Sequence, residues 1–350
     1  MTKKRVLSLM LAGVLAVSMM TACGGGSSDK GGSDKQTTAA ANSGSEGGQA
    51  ASDDDIRISF VMKTLASEHW QFMKSGAEKA AEDLGVTVEI KGPPSETSYD
   101  EQQNEIDTDL AVESFDAYCI APLQSDLVAN LIKGETRPII AVDTAIDAPE
   151  VISFVGTGNQ AAAKQGAIKA VEMAKAAGWT EINCIEIAGV QGDATNTARM
   201  TGYEEGITEA GGTFLKDEVQ YADAVADKAV VSMEAIMMSH PEGVAIVCAN
   251  NDDMAVAAAR TAHESGNAAY ANTIFLGFDG QITACESILK DELTLTAAQQ
   301  AYDMGYLAVE TAVKAAKGES VEANVDSGTE IVTKDNAQAR IDRLNGYLGK

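Results

Sequence analysis

Short apolar runs alternate with longer amphipathic or alanine-rich stretches from residue 56 almost to the end of the chain. The runs have the length of strands, and the stretches between them have the length of helices. This alternation predicts parallel sheets that are covered by helices on both faces. The predicted strands are residues 56–62, 86–90, 117–121, 139–142, 152–155, 182–187, 244–249, 273–278 and 293–297. The clearest predicted helices are residues 68–84, 161–176, 226–238, 254–264 and 301–317.

The predicted strands are too numerous for one compact doubly wound domain of ordinary size. The sequence therefore predicts an α/β protein made of two similar doubly wound parallel-sheet lobes. In the first predicted helix, Trp70, Met73 and Ala77 share one face, which indicates the side that packs on a sheet. Gly85 follows this helix at the position where a glycine commonly ends one.

The first 55 residues differ in character from the rest of the chain. A basic start at residues 3–5 precedes an apolar run at 6–20 and a cysteine at position 23, which predicts a signal peptide over residues 1–22. The alternative is a short transmembrane anchor, although the run is short for a membrane span. Residues 20–23, Met-Thr-Ala-Cys, resemble the lipobox of bacterial lipoproteins, which implies cleavage before Cys23 and lipidation of this residue.

Residues 23–55 contain no Val, Ile, Leu, Met or aromatic residue, and such a composition predicts a flexible tether. A tether behind a lipidated cysteine implies an extracytoplasmic protein anchored to the cell membrane. The chain has 52 Asp and Glu residues against 26 Lys and Arg residues. This excess argues against a nucleic-acid partner and against electrostatic docking on anionic lipid. We therefore expect contact with the membrane only through the lipid anchor.

Several motifs point to chemistry that the rest of the sequence does not support. Residues 156–161 match a dinucleotide fingerprint, but the acidic residue expected about 20 positions later would be Glu186, which comes too late. The histidines at 69, 240 and 263 lack the spacing of metal ligands, so we expect no metal and no cofactor. Each of the remaining cysteines lies in an apolar strand or helix pattern, which favours buried free thiols, with disulfides as the alternative: Cys119, Cys184, Cys248 and Cys285.

Polar residues follow the predicted strands at their carboxyl ends, where open α/β sheets bind ligands. They are Lys63, Asp143, Asn250, Asn251, Asp252, Asp279 and Gln299, with Arg199 near the start of a helix. Carboxylates, a guanidinium and amides form a planar hydrogen-bonding set that suits hydroxyl groups. His69 and Trp70 offer flat faces for the C–H side of a sugar ring. This combination indicates a neutral, polyhydroxylated ligand.

The folded part resembles the type 1 periplasmic sugar-binding proteins of the ribose, galactose and arabinose group, which serve ABC transporters. The resemblance extends from about residue 56 to the C-terminus and rests on many short segments in the same order and spacing. These segments are residues 60–65, 70–81, 121–126, 138–143, 198–203, 248–255, 277–280 and 298–299.

The resemblance implies sugar contacts at five positions with the expected residue types: Asp143, Arg199, Asn251, Asp279 and Gln299. At the first strand the contact position is Lys63, and His69 and Trp70 stand where the family has paired aromatic residues. Ser67 is a weaker candidate.

Other positions depart from the ribose proteins. Ala121, Thr144 and Ala224 stand where an asparagine, an arginine and a phenylalanine are often found, and these departures argue against ribose itself. The lysine at position 63 is a feature in which the chain resembles the furanone-autoinducer receptors of the same superfamily. Those receptors, however, lack a residue of the Arg199 type.

The resemblance further implies two lobes joined by a hinge of three crossover strands. The crossings are expected near residues 157–158, 299–301 and 327–330. The implied boundaries are 56–157 plus 300–328 for the N-terminal lobe and 158–299 plus 329–350 for the C-terminal lobe.

The expected function is that of a monomeric, non-enzymatic lipoprotein that captures a small sugar or polyol and delivers it to an ABC permease. The alternatives are a receptor for a furanone-type autoinducer, a sugar sensor for a signalling system and, more remotely, a glycosidase that uses Asp143 and Asp279 as its carboxylate pair.

Overall fold

The computed structural model describes residues 56–349, which form two α/β lobes, each built on its own sheet. The strands are β1 (Arg57–Val61), β2 (Thr87–Lys91), β3 (Ala117–Ile120), β4 (Ile139–Val142), β5 (Val151–Gly156), β6 (Asn183–Ala188), β7 (Thr213–Phe214), β8 (Gln220–Tyr221), β9 (Ile246–Ala249), β10 (Ile274–Asp279), β11 (Leu295–Gln299), β12 (Asn324–Asp326) and β13 (Thr329–Val332). The helices are α1 (Glu68–Leu84), α2 (Tyr99–Leu110), α3 (Ser125–Leu131), α4 (Asn159–Ala176), α5 (Ala194–Glu209), α6 (Ala226–Ser239), α7 (Asp252–Glu264), α8 (Ile282–Leu289), α9 (Ala301–Ala316) and α10 (Ala337–Tyr347).

The first sheet has six strands in the order β12-β5-β4-β3-β1-β2, and all of its pairings are parallel. The second sheet follows the order β13-β11-β10-β9-β6-β7, with β8 also paired to β6. Only β13 runs antiparallel to its neighbour among the described strands of this sheet. The prediction of two doubly wound parallel-sheet lobes is therefore confirmed.

The chain passes from one sheet to the other between β5 and α4, again between β11 and α9, and finally between β12 and β13. As a result, both sheets present the carboxyl ends of their strands to the space between the lobes. Helix α10 lies across this junction. It packs mainly on α8, while its residue Tyr347 stacks on Tyr302 of α9 at a ring-centroid distance of 4.0 Å.

Helix α1 begins and ends where the sequence predicts it. Trp70, Met73 and Ala77 are buried, and Gly85 ends the helix with a φ of 67°. Helices α1 and α9 cross so closely that a Cβ on Gly76 would overlap the carbonyl oxygen of Tyr302. The missing side chain therefore permits this helix pair to form.

Every predicted strand is present, with ends that differ by one or two residues. The sequence reading missed the short strands β7, β8, β12 and β13 and the helices α2, α3 and α10. These elements are short or mostly polar, and in α2 only Gln102, Ile106 and Asp109 are buried. A mostly polar segment gives no clear hydrophobic period.

The predicted signal peptide (1–22), the lipidation of Cys23 and the tether (23–55) lie outside the described residues. Among the residues that are described, no helix has both the length and the apolar character needed to cross a bilayer.

Candidate ligand-binding site

A cavity with about 470 Å³ of empty space lies between the two lobes, at the carboxyl ends of both sets of strands. The structure brings every predicted contact residue to its wall: Lys63, Ser67, His69, Trp70, Asp143, Arg199, Asn251, Asp279 and Gln299. The first five belong to the lobe of the first sheet, and the other four to the lobe of the second. Their contact with a ligand stays a prediction.

Asp143 follows β4 with a φ of 62°, and Asp279 ends β10 with a φ of 120°. Both residues are non-glycine and lie in the left-handed half of backbone space, a strain that is typically kept at functional sites. Asp143 is 4% exposed, and Thr144 Oγ1 donates a hydrogen bond to its Oδ2 at 2.8 Å. Burial raises the pKa of Asp143, but the proximity of His69 and Lys63 outweighs burial and holds this pKa well below its usual value.

Asp279 is the second carboxylate of the cavity. Gln299 Nε2 donates a hydrogen bond to its Oδ1 at 2.7 Å, and Arg199 Nη1 lies 3.7 Å from the same oxygen. Behind it, Asp252 is fully buried and accepts a hydrogen bond from Thr296 Oγ1 at 2.6 Å. Burial and the nearby charge of Asp279 raise the pKa of Asp252 well above its usual value, which favours a neutral acid there.

Arg199 projects from the first turns of α5 and is held on several sides. Its Nε donates to Asn159 Oδ1 at 2.9 Å, and its Nη1 donates to the carbonyl oxygen of Asn250 at 2.6 Å. Its guanidinium carbon lies 3.8 Å from the centre of the Phe278 ring, a cation–π arrangement. Its Nη2 makes no hydrogen bond within the described part of the chain. Arg199 is therefore preorganised, with donor capacity left for a ligand.

Lys63 extends across the cleft to the opposite lobe. Its Nζ lies 2.6 Å from Asp193 Oδ2 and 3.9 Å from Asp143 Oδ2. Burial lowers the pKa of Lys63, but these two carboxylates outweigh burial and raise it, so the amine is charged. Asp193 also caps α5, since its Oδ1 accepts the Asn196 N–H at 2.7 Å. The ammonium thus neutralises two acids that face each other across the cleft.

The aromatic wall consists of His69 and Trp70 at the start of α1. Their rings meet edge to face at 4.9 Å, and both side chains are nearly inaccessible to solvent. Trp70 Nε1 donates to Glu96 Oε1 at 3.0 Å. Burial raises the pKa of Glu96, which favours its neutral form. Trp70 belongs both to the core of its lobe and to the cavity wall.

Asn250 and Asn251 both line the cavity, so their positions alone do not show which of the two contacts a ligand. Asn251 caps α7: its Oδ1 accepts the Met254 N–H at 2.9 Å. Asn250 Nδ2 donates to Oε1 of Glu186, a carboxyl that is fully buried in β6. Burial raises the pKa of Glu186 to about 8.

The lobes touch directly around the cavity. Thr144 and Thr195 approach within 2.6 Å through their hydroxyl oxygens. Glu68 Oε2, at the start of α1, accepts the backbone N–H of Ile282 at 2.8 Å. These contacts and the Lys63 bridge show that the structure represents a closed arrangement of the lobes.

Five polar residues of the cavity wall are not among the contacts predicted from the sequence: Glu96, Asp193, Thr195, Asn196 and Asn250. Asp193 precedes α5 and Asn196 lies three residues later in its first turn; an aspartate before a helix is a helix-cap signal that could have indicated these two positions. Glu96 lies in an irregular segment and gives no such signal. Within residues 56–349, no group of three or more His, Cys, Asp or Glu side chains has the arrangement of a metal site.

The fold, the position of the cavity between two lobes and its hydrogen-bonding walls are those of a solute-binding protein. Residues 58–320 match the family model described as "Periplasmic binding protein domain". The chain therefore belongs to this family, which consists of solute-binding proteins without enzymatic activity. Membership removes the glycosidase alternative for Asp143 and Asp279.

Among its curated relatives is the ribose import binding protein RbsB of Escherichia coli, 29% identical over 283 residues that cover 79% of this chain and 90% of the relative. The D-allose-binding periplasmic protein of the same organism is 31% identical over 271 residues, with 75% and 85% covered. A similar solved structure is a carbohydrate transporter solute-binding protein from Agrobacterium radiobacter in complex with D-arabinose. Its TM-score is 0.75 at 27% identity, with 83% of this chain and 98% of the other covered.

Proposed function

We propose that this chain is the extracytoplasmic substrate-binding component of an ABC import system, and that it holds a small sugar or sugar-like polyol between its lobes. The observation that carries the proposal is the composition of the cavity wall. Carboxyl groups, one preorganised guanidinium, one ammonium and several amides come from both lobes around one cavity. Such groups accept and donate hydrogen bonds to hydroxyl groups without requiring a charged ligand.

The electrostatics of the wall support a neutral ligand. Lys63 faces Asp143 and Asp193, and Arg199 faces Asp279, so the charges of the protein are largely balanced among themselves. A ligand with a net charge would disturb this balance in a buried site, at a substantial free-energy cost. The names of the relatives agree with this proposal, since they bind ribose and allose.

Ligand capture follows from the position of these groups in two lobes. A ligand that contacts both lobes binds the closed arrangement better than the open one and shifts the equilibrium toward closure. A ligand that contacted only one lobe would have equal affinity for both arrangements and would shift nothing. We propose that Asp143 holds the ligand from the first lobe, and that Arg199, Asn251, Asp279 and Gln299 hold it from the second.

The proposed cellular address depends on the N-terminal segment. We propose a signal peptide at 1–22, lipidation of Cys23 and a tether at 23–55 that holds a monomeric binding protein at the outer face of the cell membrane. The proposed lobes are 56–157 plus 300–328 and 158–299 plus 329–350, and a membrane permease receives the ligand. A Cys23→Ser variant should lose incorporation of labelled palmitate and leave the membrane fraction.

A second candidate is a receptor for a furanone-type autoinducer or a sugar sensor for signalling. The presence of Lys63 in the cavity wall is the observation that favours it. The engagement of Lys63 by Asp193 at 2.6 Å weighs against a dedicated ligand contact, because the ammonium already has a buried partner.

The experiment that tests the proposal is native mass spectrometry of the full chain, followed by a thermal-shift panel of D-ribose, D-allose, D-arabinose, myo-inositol and a furanone autoinducer. A ligand at one hundred times its Kd should add about 2.7 kcal/mol of stability. Asp143→Asn should reduce the shift to half or less, whereas the matched change Asp291→Asn, at an exposed aspartate paired with Lys334, should leave it unchanged. A panel in which no sugar or polyol stabilises the protein would contradict the proposal.

A further inference from the structure

His69 has an unusual position between the two carboxylates of the cavity. It is 4% exposed, its Nε2 lies 3.3 Å from Asp143 Oδ1, and its Nδ1 lies 3.8 Å from Asp279 Oδ1. Neither ring nitrogen has a hydrogen-bond partner within residues 56–349. The ring therefore presents each of its nitrogens to a carboxylate oxygen, one from each lobe.

These two ion-pair distances favour the protonated form of the ring. A neutral imidazole has one N–H donor and one lone pair, whereas an imidazolium has two donors. A neutral His69 would direct a lone pair at a buried carboxylate, which is unfavourable. Only the protonated ring places a donor against both Asp143 and Asp279.

The charged groups around His69 act in the same direction. Burial lowers its pKa, but Asp279 and Asp143 outweigh burial and raise it above the usual value, with a smaller opposing effect from Arg199. Among the other charged groups of the cavity wall, Lys63 pairs with Asp193, and burial favours the neutral form of Glu96.

We propose that protonated His69 joins the carboxylate of Asp143 in the first lobe to that of Asp279 in the second when the cleft closes, so that ligand binding is coupled to a proton on this ring. His69 and Asp143 belong to the same lobe, so the open arrangement keeps one carboxylate beside the ring. Closure adds the second. His69 is thus a positioning residue for closure and not only a flat face for a sugar. The inference rests on the proposed function, because closure is driven by the ligand.

The sign of the pH effect follows from this arrangement. The second carboxylate stabilises the charged ring only in the closed state, so closure raises the pKa of His69. Binding then takes up protons, is tightest below the pKa of the open state, and weakens as the pH rises through the pKa of the closed state. Between these two values the Kd rises by at most about tenfold per pH unit. His69→Gln removes this dependence.

The first test needs no ligand. The chain has three histidines, so NMR titration of the ring nitrogens can assign His69 by its loss in His69→Gln. We expect His69 to titrate above the usual value for histidine, and Asp143→Asn should lower the pKa of His69. A His69 ring that titrates at or below the usual value and does not respond to Asp143→Asn would overturn the proposal, whether or not any sugar binds.

The second test uses calorimetry with whichever of D-ribose, D-allose and D-arabinose binds most tightly, in buffers of different ionisation enthalpy. The wild type and the control His240→Gln, whose ring contacts Glu218 at the surface, should take up protons on binding at pH values between the pKa of His69 in the open state and its pKa in the closed state. His69→Gln should take up fewer. Equal proton counts for the wild type and His69→Gln would refute the coupling. Absence of binding to every sugar would refute the proposed function, while the ring titration would still decide the state of His69.

Discussion

Glu68 makes a contact between the lobes that the cavity itself does not include. It is the first residue of α1, and its Oε2 accepts the N–H of Ile282 at 2.8 Å and that of Thr283 at 3.4 Å. Ile282 begins α8 in the second lobe, so a carboxylate from one lobe caps a helix of the other. This bond exists only while the lobes are together, and Glu68→Gln should therefore weaken closure.

The magnitude follows from the type of bond. Hydrogen bonds to charged groups contribute about 1.5–3 kcal/mol, and an anion at a helix N-terminus contributes about 0.3–1 kcal/mol when it is exposed. Glu68 is half-buried and the glutamine keeps one acceptor oxygen, so a loss of about 1 kcal/mol is reasonable. Because about 1.4 kcal/mol corresponds to a factor of ten, the Kd of the ligand should rise about fivefold.

Isothermal titration calorimetry with the tightest-binding sugar measures this change. The matched control is Glu78→Gln on the same helix, at an exposed glutamate that pairs with Lys74. This control should leave the Kd unchanged. An unchanged Kd in Glu68→Gln would refute the reasoning. A loss of affinity accompanied by a comparable loss of unfolding free energy in the ligand-free protein, measured in urea, would also refute it. The effect of the substitution would then lie in folding and not in closure.

Three further predictions concern stability and charge. Gly76→Ala should lower the free energy of unfolding by about 3 kcal/mol in urea titrations, since the new methyl group overlaps the carbonyl of Tyr302. An unchanged urea midpoint would contradict the close crossing of α1 and α9. Burial raises the pKa of Glu186 to about 8, so this carboxyl costs stability as the pH rises from about 4.5 to 8. Glu186→Gln should remove that slope and stabilise the protein at pH 8 by a few kcal/mol, and parallel pH–stability curves for the two proteins would contradict it. Lys63→Met should raise the Kd of the sugar at least tenfold, because it leaves buried carboxylates unpaired. Adding Asp193→Asn should restore part of the affinity. A double variant that binds no better than Lys63→Met would be evidence against the ion pair.

The fold could be predicted from the sequence because its strong signals are local. Strand β4 consists of continuous apolar residues, and β10 is apolar up to its last residue, Asp279. Helix α1 carries a clear apolar face with a terminal glycine. The elements that were missed lack such signals. Strand β12 pairs only at a sheet edge and is mostly exposed. Its position depends on the chain returning to the first sheet, which no local pattern records.

The candidate site could be predicted as far as strand ends determine it. Asp143 directly follows the buried strand β4 and Asp279 ends the buried strand β10, so the topology alone brings them to the edge that faces the other lobe. Contacts made between the lobes could not be predicted in this way. The pairing of Lys63 with Asp193 joins residues 130 positions apart, and it depends on how far the cleft closes. The same is true of His69, whose second carboxylate comes from the other lobe.

The central claim is that one ligand is held by both lobes at once, and Asp143→Asn and Asp279→Asn test it with one change in each lobe. Each variant keeps the size of the side chain and removes a charge that can accept a hydrogen bond from a sugar hydroxyl. We expect calorimetry to show a rise in Kd of about ten- to a hundredfold for each variant, the equivalent of about 1.5–3 kcal/mol. A variant in either lobe that binds the sugar as tightly as the wild type would contradict the claim.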